Sequence, residues 1–179
     1  MKKKIYIILM NTNTLPSKFI SLFTRYKYSH VVLSLDNTYT KLYSFGRKKL
    51  YNFLNSGFVT DGINSKFFKR FNQTTCIIYE LPISLSKYYK LVKELKKYEK
   101  DPDKYHYDIK RLCKYIFPYR IKKRDNYYVC TQFIGTILME SGIYQFEKDT
   151  INLLPKDFTK IPEAIKIYEG LFLKVNHPD

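Results

Sequence analysis

Six consecutive apolar residues, Ile5–Met10, follow three lysines and predict a buried β-strand. Apolar residues at 19, 20, 22 and 23 mark one face of a short helix over Ser17–Arg25, with Pro16 near its first turn. His30–Leu35 reads as a strand, Asp36-Asn37 as a turn and Thr40–Phe45 as a second strand, together a hairpin. Residues 46–72 are expected to be irregular, since Gly46, Gly57 and Gly62 punctuate a stretch rich in Phe and Lys. Thr74–Leu81 is another strand. Ser84 or Ser86 then caps a long helix to about Lys100, with Tyr88, Leu91, Val92, Leu95 and Tyr98 on one stripe. Asp101-Pro102-Asp103 stops it, and a helix over Asp108–Phe117 ends at Pro118. Asn126–Val129 is extended and leads into a helix from about Cys130 to Ser141, closed by Gly142 as a left-handed cap. Pro155–Lys160 makes one helical turn, and Ala164–Tyr168 a late strand. Strands and helices mix without a regular βαβ alternation, which predicts an α+β fold.

The length of 179 residues suits one domain spanning 1–179, with no linker or internal repeat. A hydrophobic fraction of 45% excludes a disordered chain. The net charge of +16 is uneven: residues 1–90 hold fifteen Lys+Arg and three Asp+Glu, against seventeen and thirteen in 91–179. A basic half favours polyanionic partners, nucleic acid or an anionic membrane surface, unless the charge is simply solvated surface. Three cysteines, an odd number, fit a reducing compartment. The basic start and short apolar run read as a strand behind a lysine tail, and no stretch approaches the ~20 apolar residues of a membrane span. The expectation is a soluble, cytoplasmic chain. No paired Cys/His spacing suggests a metal, and no glycine-rich phosphate loop suggests a nucleotide cofactor, so neither is expected.

The chemistry concentrates in Tyr127-Tyr128-Val129-Cys130-Thr131-Gln132-Phe133-Ile134. Cys130 falls where an extended segment turns into a helix, and the free N–H groups and positive dipole end there stabilise a thiolate. The same N–H groups suit the oxyanion of a tetrahedral intermediate. The alternative is one more buried cysteine, as Cys76 and Cys113 read. A nucleophilic thiol needs a base, and the chain offers three histidines. His177 lies three residues after Lys174 near the C-terminus, His106 reads as a loop residue packed on tyrosines, and His30 opens a strand. Asn11 and Thr12, at the end of the first strand, are polar groups that could line the same cleft.

Ser29-His30-Val31-Val32-Leu33-Ser34-Leu35-Asp36, followed by Tyr128-Val129-Cys130-Thr131-Gln132-Phe133-Ile134, resembles the circularly permuted NlpC-like (YiiX/YycO-like) branch of the papain-like cysteine hydrolases. In that branch the histidine strand precedes the cysteine helix. The resemblance implies an antiparallel sheet packed against a cysteine-bearing helix, with Cys130 as nucleophile and His30 as general base. It assigns the third polar role, orienting the imidazole, to Ser44 on the next strand, where other members commonly carry His, Glu or Asn. The activity implied is a cysteine hydrolase or acyltransferase acting on an amide, ester or thioester, with a small peptide or a lipid acyl group as substrate. The basic, Phe-rich 46–72 segment would then suit a lid at an anionic membrane surface. Two other readings compete: a basic nucleic-acid-binding module, although no RNA-binding or helix-turn-helix signature is present, and a papain-like fold serving as a binding domain with weak or lost catalysis.

Overall fold

The structure, a computed structural model, describes residues 2–49, 52–113 and 123–175. Eight strands form one sheet: β1 (Lys2–Asn11), β2 (His30–Ser34), β3 (Leu42–Lys49), β4 (Asn52–Asp61), β5 (Thr75–Ser84), β6 (His106–Tyr107), β7 (Tyr127–Tyr128) and β8 (Ile165–Leu171). Among the described residues five α-helices accompany them: α1 (Leu15–Thr24), α2 (Lys66–Arg70), α3 (Leu85–Lys100), α4 (Ile109–Cys113) and α5 (Cys130–Glu140). The strand order is β7-β6-β4-β3-β2-β1-β5-β8, antiparallel throughout except at β6–β7. The fold is α+β.

The apolar run of β1 is buried on both faces because the sheet is covered on both. Ile5, Ile7 and Leu9 join Val31, Leu33, Tyr43 and Phe45 under α3 and α5, which contribute Leu91, Leu95, Phe133, Ile134 and Ile137. Tyr6, Ile8 and Met10 join Val32 and Leu42 on the other face, under Phe68 of α2 and Phe172. The period-2 alternation of strand side chains therefore sorts neighbouring residues of β2 into two different cores.

Most local signals hold. Ser84 caps α3, its Oγ accepting from the Lys87 N–H, and Asp101 ends it. Gly142 closes α5 at φ +68°, a left-handed conformation that glycine adopts without a Cβ penalty, while the Ile143 N–H reaches back to the Leu138 carbonyl. The main correction concerns residues 46–72. They are not irregular: β3 runs on to Lys49, β4 returns from Asn52 to Asp61, and α2 follows. Gly57 sits inside β4, where a Cβ would stand 2.7 Å from the Tyr105 carbonyl oxygen, so this glycine permits a close approach of backbone rather than a turn. The strand read as Thr40–Phe45 is thus longer and later, and the late strand read as Ala164–Tyr168 is Ile165–Leu171. Helix α4 is described from Ile109 to Cys113, so Asp108 precedes it; residues 114–117 of the segment read as Asp108–Phe117 lie outside the described residues. Among the described residues, no helix is long and apolar enough to cross a membrane.

Candidate active site at the start of β2

Cys130 is the first residue of α5. Val129 before it is extended (φ −100°, ψ 165°), and no side chain caps the helix. The orphan N–H groups of the first turn, of Cys130 itself and Thr131, and the Val31 N–H of β2 lie near the sulfur and favour its charged form. Cys130 is only 5% exposed, and burial outweighs these donors, pushing the thiol up to about 11. Cys76, buried within β5 near Glu169, is pushed up to about 12 by burial and then by that carboxylate. The expected thiolate at the helix start is thus a neutral thiol in the resting protein. The local dipole argument is right in sign and loses to desolvation.

His30 opens β2, and its Nε2 lies 3.3 Å from the Ser44 Oγ. Ser44, 2% exposed on β3, donates its single hydroxyl proton to the Val31 carbonyl at 2.7 Å. The hydroxyl oxygen is then left to accept from Nε2–H, which assigns the neutral ring to the Nε2–H tautomer and leaves the Nδ1 lone pair as the basic position. Burial of the ring, followed by the nearby Arg47 guanidinium, lowers the His30 pKa to about 4. At neutral pH the imidazole is uncharged and able to take a proton.

Strand alternation gives His30 and Ser44 to the face of α2, while Cys130 approaches from the face of α5. The two side chains share no hydrogen bond. What joins them is Val31, whose N–H lies near the Cys130 sulfur and whose C=O receives the Ser44 hydroxyl. These groups are free of the ladder because β2 and β3 pair only at Leu33–Tyr43 and Ser34–Leu42, leaving the start of β2 open. The sequence expectation placed His30, Ser44 and Cys130 together; the structure brings Ser44 to His30 directly and links Cys130 to that pair only through the backbone of Val31.

Two cavities flank this opening. One, of about 120 Å³, is lined by His30, Ser44, Arg47, Asp61, Phe67 and Phe68 among others. The second, of about 280 Å³, lies against Cys130, Thr131, Arg111 and Asn152. Ile20, Ser29 and Tyr107 line both. Thr12 lines the first cavity, whereas Asn11 is a turn residue, accepting from the Asn13 N–H at 2.9 Å and the Ser17 hydroxyl at 2.8 Å. His106 is exposed on β6 beside the Tyr127 ring at 5.1 Å, and His177 lies outside the described residues.

Sequence reasoning passed over three charged or polar residues at this site. Arg47 stacks on the Phe67 and Phe71 rings, 5.2 Å from each centroid, and its segment had been read as irregular. Arg111 donates to the Gln132 Oε1 at 2.5 Å and to the Ile151 carbonyl, holding the wall of the Cys130 cavity. Gln132, 1% exposed, had a signal: it is the amide two residues after Cys130 in a mostly apolar helix. Among the described residues, no group of three or more His, Cys, Asp or Glu could hold a metal ion. No protein-family model matches the chain, and no curated protein matches it.

Proposed function

We propose that the protein is a cysteine-dependent hydrolase or acyltransferase of papain-like, permuted NlpC-like type, acting on an amide, ester or thioester of a small peptide or a lipid acyl group. The observation that carries this reading is the Cys130 sulfur at the start of α5, near the backbone N–H groups of Thr131 and, from β2, Val31, beside a cavity. Nucleophile and oxyanion donors are there in one place. The thiol attacks the substrate carbonyl carbon, and its proton passes to His30 Nδ1 as the C–S bond forms. The Thr131 and Val31 N–H groups near the sulfur then donate to the oxyanion. Collapse expels the amine, alcohol or thiol, which takes the proton from His30, and water or an acceptor then cleaves the acyl-thioester. With both groups neutral at rest, proton transfer is coupled to attack. His30 must therefore reach the sulfur through the open start of the β2–β3 ladder once substrate is bound.

The raised thiol and the missing Cys130–His30 hydrogen bond favour one rival, the same fold retained as a binding domain without turnover. Amide, ester and thioester acyl probes, followed by mass spectrometry of the intact protein and peptide mapping, separate the two. Acylation at Cys130 that disappears in Cys130→Ala and is slowed in His30→Ala supports catalysis. No acylation by any probe class, or acylation independent of His30, supports the binding domain.

A further inference from the structure

We propose that α1 is a docking element for an anionic lipid bilayer, and that it sets the His30 cavity, of which it forms one wall, at the bilayer surface. The helix is amphipathic in the inverse sense of an ordinary surface helix, which turns its apolar face to the core. Its polar side faces inward: Ser17 is buried with its Oγ 2.7 Å from the Ser29 Oγ and 2.8 Å from the Asn11 Oδ1, and Thr24 is buried with its hydroxyl on the Ile20 carbonyl. Its apolar side faces outward. Leu15 is 83% exposed, Leu22 74% and Phe23 42%, three of the seven large apolar side chains that stand in solvent among the described residues. At 3.6 residues per turn Leu15, Phe19, Leu22 and Phe23 share one arc, and the Phe19 and Phe23 rings lie 4.6 Å apart.

Charge decides what covers that arc. Exposed Lys18 and Arg25 border it, and neither has a carboxylate partner among the described residues. Residues 1–35 contain six Lys+Arg and no Asp or Glu. Helix α2 supplies Phe67 and Phe68 to the lining of the same cavity and shows exposed Lys66, Lys69 and Arg70 to solvent. A second copy of this chain would bring the same cations face to face. An anionic bilayer answers both features at once, with headgroups for the basic border and acyl chains for the apolar arc. The proposal stands whether or not Cys130 is a nucleophile.

The chain contains no Trp, so Leu22→Trp gives a single indole reporter on the proposed docking face. Vesicles of phosphatidylcholine with phosphatidylglycerol are expected to shift its emission to the blue and sediment the protein, and pure phosphatidylcholine to do so at least tenfold more weakly. Adding Lys18→Glu with Arg25→Glu is expected to weaken partitioning roughly tenfold or more. Adding Leu15→Ser with Phe23→Ser should abolish it, with circular dichroism verifying that each variant is folded; all four positions are exposed. Absence of a shift in the folded reporter, equal binding to both vesicle types, or sedimentation indifferent to these substitutions overturns the proposal. So does a blue shift that grows with protein concentration without lipid, which would make the occupant a second copy.

Discussion

The two faces of the sheet are both covered, but they are built for different tasks. Under α3 and α5 the interior is apolar and aromatic. Phe133 is fully buried, its ring 5.0 Å from Phe45, 4.9 Å from Tyr98 and 5.6 Å from Phe58. Under α2 the same strands turn His30, Ser44, Arg47 and Asp61 toward a cavity, and burial raises the Asp61 carboxyl and lowers the Arg47 guanidinium. The first face is close-packed and rigid; the second tolerates the cost of half-buried charge in order to present polar groups. Cys130 belongs to the first face and His30 to the second. The difference teaches that the candidate chemistry sits where the wall between them is open, at the start of β2.

That comparison can be broken most directly at Cys130. Cys130→Ala is expected to abolish turnover of any acyl substrate found with the probe panel, while changing stability by no more than ~1–2 kcal/mol in denaturant melts. Undiminished turnover by the folded variant would remove the sulfur from the chemistry and leave the opening without a catalytic role.

On the aromatic face the expected loss is in stability. Phe133→Ala should cost ~3–5 kcal/mol, read from urea unfolding, because the rings around it cannot collapse into the space. A loss below ~1 kcal/mol would show that this side is not the rigid platform described.

His30 and Ser44 test the polar face. His30→Ala is expected to slow acyl transfer by ~10²–10⁴-fold, as for a lost general base. Ser44→Ala should cost only about tenfold, in line with one neutral hydrogen bond of ~1 kcal/mol. A Ser44→Ala loss as large as that of His30→Ala would mean that the hydroxyl does more than hold the ring.

The pH dependence of stability sharpens the same point. The free imidazole titrates near 6.5 and the folded one at about 4. Between those values the unfolded chain binds a proton that the folded chain refuses, so stability falls as pH drops through that window. Thermal melts from pH 7 to 4 are expected to show a shallower decline in His30→Gln than in the parent. Parallel curves would place the ring in solvent.

The smallest effect compares the two described thiols. Cys130, at about 11, should alkylate roughly tenfold faster than Cys76, at about 12, with both rates rising through alkaline pH. Fast Cys130 labelling near pH 6, with peptide mapping, would instead reveal a thiolate and the ion pair that burial opposes here.

What depends on neighbours in the chain was legible in the residues alone. The buried run of β1, the Ser84 cap, the helix from Cys130 closed by Gly142, and the placing of His30 at a strand start all follow from periodicity and capping, which act over a few residues. The pairing of Ser44 with His30 was also within reach, since a hairpin sets two strands side by side. What depends on long-range placement was not. Gly57 looked like a breaker because nothing local announces the Tyr105 carbonyl that presses on it. Arg47 gained its place only when β3 and β4 formed and α2 brought Phe67 and Phe71 beneath it. The face to which His30 points is decided by register, where one residue of slip exchanges the two sides of a strand. The state of Cys130 depends on both scales: its helix N-terminus is a local feature that favours the thiolate, and its burial is a tertiary feature that suppresses it, because removing a charge from water outweighs three backbone dipoles.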